Sequence, residues 1–97
     1  MSKGPMVEVE NVVSPGHKYR VDAAKYGAMR EAMLAVLPSV PPGMSVADVK
    51  AQVVPRLPDA LFPGGAKAGW WIKCVQLDLE AKGLIKRSEK PVRLYRA

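Results

Sequence analysis

Cysteine and histidine are the scarcest reactive side chains in this chain of 97 residues, which contains one of each, Cys74 and His17. A single cysteine cannot form a disulfide within the chain, and it cannot supply the several thiolates of a cysteine-based metal site. Cys74 also stands among apolar residues of a predicted helix, which is typical of an inert, packed thiol. Because no nucleophile, base and orienting group come together, we expect a non-enzymatic protein without metal or cofactor.

Long apolar runs are absent as well. No segment approaches the roughly 20 consecutive apolar residues of a membrane-spanning helix, and the N-terminal residues Met1–Pro5 lack the apolar segment of a secretion signal. We therefore expect a protein of the reducing cytoplasm without a membrane partner. What the chain does contain is 48% apolar residues, enough for one folded domain with a small core.

Basic residues outnumber acidic ones, and the excess lies almost entirely in the last third of the chain. The formal net charge is +6, and from Lys67 onward eight Lys and Arg residues stand against three acidic ones. Such a local excess is typical of a surface that binds a polyanion. It is equally expected of a solvated β-hairpin whose basic residues prevent pairing at an exposed strand edge.

The first part of the chain predicts an N-terminal extension followed by two helices. In parts of residues 1–21, apolar and polar residues alternate as they do in strands. This predicts an extended arm or weak hairpin that packs on the domain or on a second subunit. A helix is predicted from Asp22, which can cap it, to Leu37, directly before a proline. Ser45 begins a second predicted helix, which Pro55 kinks or ends.

The loop between the second and third helices is rich in turn residues but carries Leu61 and Phe62, which we expect to fill the core. Its last part, Pro63–Lys67, has two interpretations. Free backbone N–H groups and a lysine at a helix start can hold a phosphate, which would suit an enzyme for small anionic substrates. The segment lacks the full phosphate-loop pattern of nucleotide hydrolases, however, and a plain flexible entry loop is the other interpretation.

The last third has the most distinctive pattern, a helix followed by a glycine and a short hairpin. The helix is predicted over Ala66–Lys82 and ends at Gly83, which suits the left-handed position after a helix. Two strands are predicted at Leu84–Arg87 and Val92–Arg96, with a turn over residues 88–91 between them.

The pattern Val75-x-x-x-Leu79-x-x-x-Gly83-Leu84-Ile85-x-Arg87 resembles the third helix and first wing strand of winged helix-turn-helix domains. The resemblance covers Asp22–Arg96. It implies an α+β fold of three helices with a C-terminal antiparallel β-hairpin wing, divided into an N-terminal arm, residues 1–21, and a winged-helix domain, residues 22–97. It also implies that basic residues of the third helix and wing contact backbone phosphates, chiefly of double-stranded DNA. These basic residues are Lys67, Lys73, Lys86, Arg87, Lys90, Arg93 and Arg96.

Both long sides of the predicted third helix are apolar. At about 100° per residue, the side predicted to face the core consists of Ala68, Trp71, Ile72, Val75 and Leu79. The opposite side consists of Trp70, Cys74, Leu77 and Ala81. In the domains that this chain resembles, that opposite side meets the major groove, where bases are read by hydrogen-bonding groups. An apolar side supplies few such groups, so we expect little direct reading of sequence.

Three interpretations of the second apolar side remain open. The loop, the arm or the sheet covers it, so that Trp70 is ordinary core. Alternatively, Trp70, Cys74 and Leu77 form a protein interface, for example in a homodimer. In the third interpretation the side contacts bases, and Trp70 stacks on a single-stranded base. The leading prediction is a winged-helix module that binds nucleic-acid backbone, and the alternative is a winged-helix module for protein interaction or homodimerisation.

Overall fold

Three α-helices and two small antiparallel sheets form an α+β fold. The computed structural model describes residues 5–11, 16, 19–88 and 92–97. The helices are α1 (Ala23–Val36), α2 (Val46–Val53) and α3 (Ala68–Ala81). Single 3₁₀ turns follow α2 at Val54–Arg56 and precede α3 at Pro63–Gly65.

The starts of α1 and α2 are fixed by the side chains that the sequence predicts as caps. Asp22 Oδ1 accepts a hydrogen bond of 3.0 Å from the backbone N–H of Lys25, and Ser45 Oγ accepts one of 3.2 Å from that of Asp48. Each bond satisfies a backbone donor that has no partner within its helix. The predicted beginnings of both helices are therefore confirmed.

Five short strands pair in two sheets. β1 (Met6–Val9) and β2 (Tyr19–Asp22) form an N-terminal hairpin, the weak hairpin that the alternation predicts. β3 (Met44–Ser45), β4 (Ile85–Ser88) and β5 (Arg93–Arg96) form a second sheet in the order β3-β5-β4. The chain thus places a strand between α1 and α2 at the edge of the C-terminal hairpin.

One apolar core connects the N-terminal hairpin, the helices and the C-terminal hairpin. Val9 and Val21 of the N-terminal hairpin belong to the same buried cluster as residues of all three helices and the second sheet. Phe62 is buried as predicted, and its ring lies perpendicular to that of Trp71, with 6.2 Å between the ring centres. The core is continuous across residue 22, where the sequence suggested a boundary between arm and domain.

Three details differ from the sequence-based expectation or refine it. α3 begins at Ala68 and not at Ala66, because Lys67 adopts a left-handed backbone conformation with φ 60°. β3 was not predicted, since two residues are too few to show alternation and Ser45 signals a helix start. Of the apolar pair after α3, Ile85 enters the core with 1% exposure, whereas Leu84 is 40% exposed.

Candidate nucleic-acid interface

α3 is exposed mainly over its N-terminal part. Six consecutive residues, Cys74–Leu79, are buried, whereas Gly69, Trp70 and Lys73 are exposed. A surface helix normally buries one stripe, so a continuous buried run means that neighbouring elements cover this half from opposite sides. α3 contacts α1 and β1, and it also contacts α2 and β4. A ligand therefore meets α3 mainly at its first two turns.

The apolar side that was predicted opposite the core is divided by this arrangement. Cys74 and Leu77 are only 3% and 8% exposed, whereas Trp70 is 54% exposed. Cys74 and Leu77 are thus covered by their own chain, in contrast to the open interaction surface that one interpretation assigned to them. Of the three residues, Trp70 alone has a large exposed surface.

The exposed indole of Trp70 is held in a defined orientation. Its ring lies at 82° to that of Trp71, with 5.0 Å between the ring centres. This edge-to-face geometry is favourable for aromatic pairs, and the buried Trp71 is itself fixed in the core. Trp70 is therefore a preoriented aromatic platform on the protein surface.

Two shallow grooves run on either side of a ridge formed by Gly69 and Lys73. The first, the tryptophan groove, is lined by Gly69, Trp70, Lys73, Cys74 and Leu77. The second, the hairpin groove, lies between α2, α3 and the C-terminal hairpin and is lined by Val46, Gly69, Ile72, Lys73, Gln76, Arg87 and Val92. Lys50 also reaches this ridge, since its Nζ lies 3.8 Å from the position that a Cβ at Gly69 would occupy.

The register of the C-terminal hairpin separates its basic residues onto two faces. Arg87 lies opposite Leu94 and Arg96 opposite Ile85, so these two arginines share the core-facing side of the sheet. Lys86 and Arg93 occupy the other, outward face. Lys90 and His17 lie outside the described residues.

The two arginines on the core-facing side are held by partners in the protein. Arg87 Nε lies 2.9 Å from Glu80 Oε1, and Gln76 Nε2 donates to Glu80 Oε2 at 2.9 Å. Arg96 Nε donates to the backbone oxygen of Leu37 at 2.9 Å, at the end of α1. These contacts fix the hairpin against α3 and α1, and they reduce the availability of both guanidinium groups to a ligand.

Other predicted cations carry no ion pair or hydrogen bond from their side chains in the described part of the chain. They are Lys67 and Lys73 near the start of α3, and Lys86 and Arg93 on the hairpin. Lys50 is likewise unpaired, and it was not predicted because its position within α2 gives no sign of proximity to α3. Unpaired cations need no existing contact to be broken before they contact a phosphate.

The loop before α3 differs from the predicted anion cradle because three of its backbone donors are already used. The N–H of Gly64 donates to Asp59 Oδ1 at 3.0 Å, that of Gly65 to Phe62 O at 2.8 Å, and that of Ala66 to Pro63 O at 3.0 Å. The Asp59 carboxylate therefore occupies the backbone N–H of Gly64, which a bound phosphate would need as a donor. The interpretation as an entry loop fits this geometry.

A buried polar cluster at Asp78 was missed at the sequence level. Asp78 is fully buried, and its Oδ1 accepts a hydrogen bond of 2.8 Å from the backbone N–H of Glu10. Its Oδ2 accepts one from the hydroxyl of Tyr26, and Lys82 Nζ lies 2.8 Å from both carboxylate oxygens. Asp78 thereby connects the residue after β1 with α1 and α3. The signal in the sequence is an acid between two leucines, four residues before a lysine.

This cluster shifts the titration of Tyr26. Burial raises the pKa of its hydroxyl well above the ordinary value, and the hydrogen bond to the Asp78 carboxylate raises it further. The Lys82 ammonium also lies 5.8 Å from the centre of the Tyr26 ring. The neutral phenol is the form that this arrangement requires.

The geometry defines a small α+β domain with a cationic ridge and one exposed tryptophan at the start of α3. The profile of DUF6958, a family of unknown function, matches residues 6–94, and the chain belongs to this family. No curated protein and no solved structure matches it. In the part of the chain that the structure describes, no three histidine, cysteine or acidic side chains converge as metal ligands, and no helix has the length and apolar character to cross a bilayer.

Proposed function

We propose that this protein is a non-enzymatic winged-helix module that binds nucleic acid through backbone phosphates. The observation that carries the proposal is the element order α1-β3-α2-α3-β4-β5 together with the sheet order β3-β5-β4. This order supports the winged-helix resemblance, because it adds an early strand to the hairpin that follows the third helix. It also brings the basic C-terminal hairpin beside α3.

The charges on these elements favour a polyanion over a small ligand. In the proposed role, Lys67, Lys73, Lys86 and Arg93 contact phosphates, and Lys90, which lies outside the described residues, adds to the same charge. Arg87 and Arg96 act as positioning residues, because their contacts with Glu80 and the Leu37 carbonyl hold the hairpin in place. Binding of this kind is driven by the release of counterions and falls as the salt concentration rises.

Direct reading of base edges contributes little in this proposal. The exposed part of α3 offers glycine, tryptophan and lysine at Gly69, Trp70 and Lys73, and the hydrogen-bond donors of these side chains are one indole N–H and one ammonium group. We therefore expect similar affinities for unrelated sequences of equal length.

The test is titration of a labelled DNA duplex at two salt concentrations, followed by fluorescence anisotropy. With four phosphate contacts, the slope of log K against log salt is about −3.6, so raising the salt from about 50 to 200 mM weakens binding on the order of 100-fold. Absence of binding at the lower salt concentration refutes the proposal.

Charge-removal variants locate the interface. Lys73→Ala and Lys86→Ala should each make the salt slope shallower by about 1 and weaken binding equally for all sequences. Arg56→Ala is the matched control, because it removes the same charge from a residue that lines a different groove, formed with α1. Equal effects of all three variants would indicate that only net charge matters.

A second candidate function is a winged-helix protein-interaction or homodimerisation module, favoured by the 54% exposure of Trp70. Tryptophan is often the residue that contributes most to the affinity of an interface. In this case the solution mass of the protein should exceed that of one chain and return to it in Trp70→Ala. A single-chain mass for both proteins argues against self-association.

A further inference from the structure

We infer that Trp70 stacks on an unpaired nucleobase, so that this domain prefers single-stranded to duplex nucleic acid. The inference rests on the proposed function and specifies its ligand. Stacking on an aromatic side chain is available to every base through its π-face, and it requires no hydrogen-bond donors on the protein. This is the kind of base contact that the exposed part of α3 can make.

The first support is the position of Trp70 between two unpaired lysines. Lys67 precedes it by three residues and Lys73 follows it by three, and both are exposed. Lys73 lies three residues from Trp70 within α3, so these two are neighbours on one helix surface, whereas Lys67, in its left-handed conformation, lies directly before the first turn of the helix. The two ammonium groups can therefore approach the phosphates on either side of a base that lies on the indole.

The second support is the continuity of the surface beyond Trp70. Gly69 and Lys73 line both the tryptophan groove and the hairpin groove, and Lys50 Nζ lies close to Gly69. Because residue 69 has no side chain, a strand can cross the ridge close to the helix backbone. A path of positive charge then leads from Trp70 towards the C-terminal hairpin.

The third support distinguishes a nucleic acid from a second copy of this chain. The acidic residues of α3 are both engaged, Asp78 in the buried cluster and Glu80 with Arg87. The surface around Trp70 therefore presents Lys50, Lys67 and Lys73 without an adjacent free carboxylate from α3. A twofold interface centred on Trp70 would bring identical lysines together, whereas a phosphate strand has complementary charge.

The experiment compares three ligands of equal length, an oligothymidine, an abasic sugar-phosphate strand and a duplex, with wild-type protein and Trp70→Leu. Wild-type protein should bind the oligothymidine about 5- to 150-fold more tightly than the abasic strand, the range expected for one stacked base. Trp70→Leu should lose this advantage and leave the affinities for the abasic strand and the duplex unchanged. Circular dichroism establishes that the variant is folded.

Two further variants separate stacking from general effects. Stacking should quench the fluorescence of wild-type Trp70 on binding. Trp70→Phe should retain most of the affinity for oligothymidine but lose this quenching. Val40→Ser removes another exposed apolar side chain, from the loop between α1 and β3, and should change neither affinity nor quenching.

The outcomes distinguish this inference from the proposed function. Salt-sensitive binding with equal affinities for oligothymidine and abasic strand, or with no effect of Trp70→Leu, overturns the stacking role and leaves the phosphate proposal standing. Failure to bind all three ligands overturns both. A dimer that Trp70→Leu dissociates without any change in nucleic-acid affinity assigns Trp70 to a protein interface and also overturns the inference.

Discussion

Replacement of Asp78 by alanine tests the buried cluster that joins the N-terminal hairpin, α1 and α3. The substitution removes the acceptor of three donors at once, namely the backbone N–H of Glu10, the hydroxyl of Tyr26 and the ammonium of Lys82. The buried Tyr26 hydroxyl and the half-buried Glu10 amide cannot readily reach water, so each loses its partner without full compensation.

The magnitude follows from these losses. A buried donor left without a partner costs about 1–3 kcal/mol, and two such donors are left here. The Lys82 side chain is 36% exposed and can return to water, so the loss of its ion pair contributes little. We therefore expect Asp78→Ala to lower the free energy of unfolding by about 2–6 kcal/mol, a large part of the roughly 5–15 kcal/mol typical of a domain.

Urea unfolding followed by circular dichroism measures this change. With an m value in the small-protein range of about 1–3 kcal/mol per M, the midpoint should fall by at least about 0.7 M. Glu31→Ala is the matched control, because it removes from α1 a carboxylate that is exposed and makes no hydrogen bond among the described residues. Its free energy of unfolding should stay within about 0.5 kcal/mol of that of the wild type. A loss below about 1 kcal/mol in Asp78→Ala, with an unchanged m value, would refute the role assigned to the cluster.

Two further predictions concern pH and the second sheet. Because the pKa of Tyr26 is raised in the folded state, unfolded Tyr26 ionises first as the pH rises above about 10, so stability falls there by up to about 1.4 kcal/mol per pH unit. Tyr26→Phe should unfold more easily at neutral pH but show a flatter decline in the alkaline range, and identical alkaline slopes would contradict this. Gly43→Ala should destabilise by at least about 1–3 kcal/mol, because Gly43 has φ +91° and its added Cβ would lie 2.3 Å from the Leu94 carbonyl oxygen. Gly64→Ala, with positive φ but no such contact, should cost less in the same unfolding assay, and an equal cost would show that the contact relaxes.

The helices and the C-terminal hairpin were predictable because their signals are local. Asp22 and Ser45 cap the helices that they were predicted to cap. β4 is shifted by one residue from its predicted range, and β5 begins one residue later than predicted but ends at Arg96 as predicted. Such signals depend on the backbone hydrogen bonds of neighbouring residues. They act whatever the rest of the chain does.

The parts that could not be predicted depend on contacts between distant residues. The pairing of β3 with β5 joins Ser45 to Arg93, and the carboxylate of Asp78 meets a backbone amide 68 residues away in the chain. Likewise, Arg87 looks like a free phosphate ligand in the sequence, because nothing local shows that the carboxylate of Glu80 in α3 lies against it. Helical periodicity predicts on which side of α3 each residue lies. It does not predict which other elements cover that side.

The covering of α3 restricts where any ligand can bind. On one side, the Asp78 cluster holds the N-terminal hairpin and α1 against the helix, and on another, Glu80 holds the C-terminal hairpin through Arg87. Both contacts lie in the C-terminal half of α3, so the residues left exposed are mainly those at its start. Helix-turn-helix proteins also contact bases with the N-terminal residues of the recognition helix, but here the exposed residues are Trp70 and lysines. A ligand at the exposed start of α3 meets an aromatic face and positive charge. This is the basis for the inference that the ligand is an unpaired strand, whose bases can stack on an aromatic side chain.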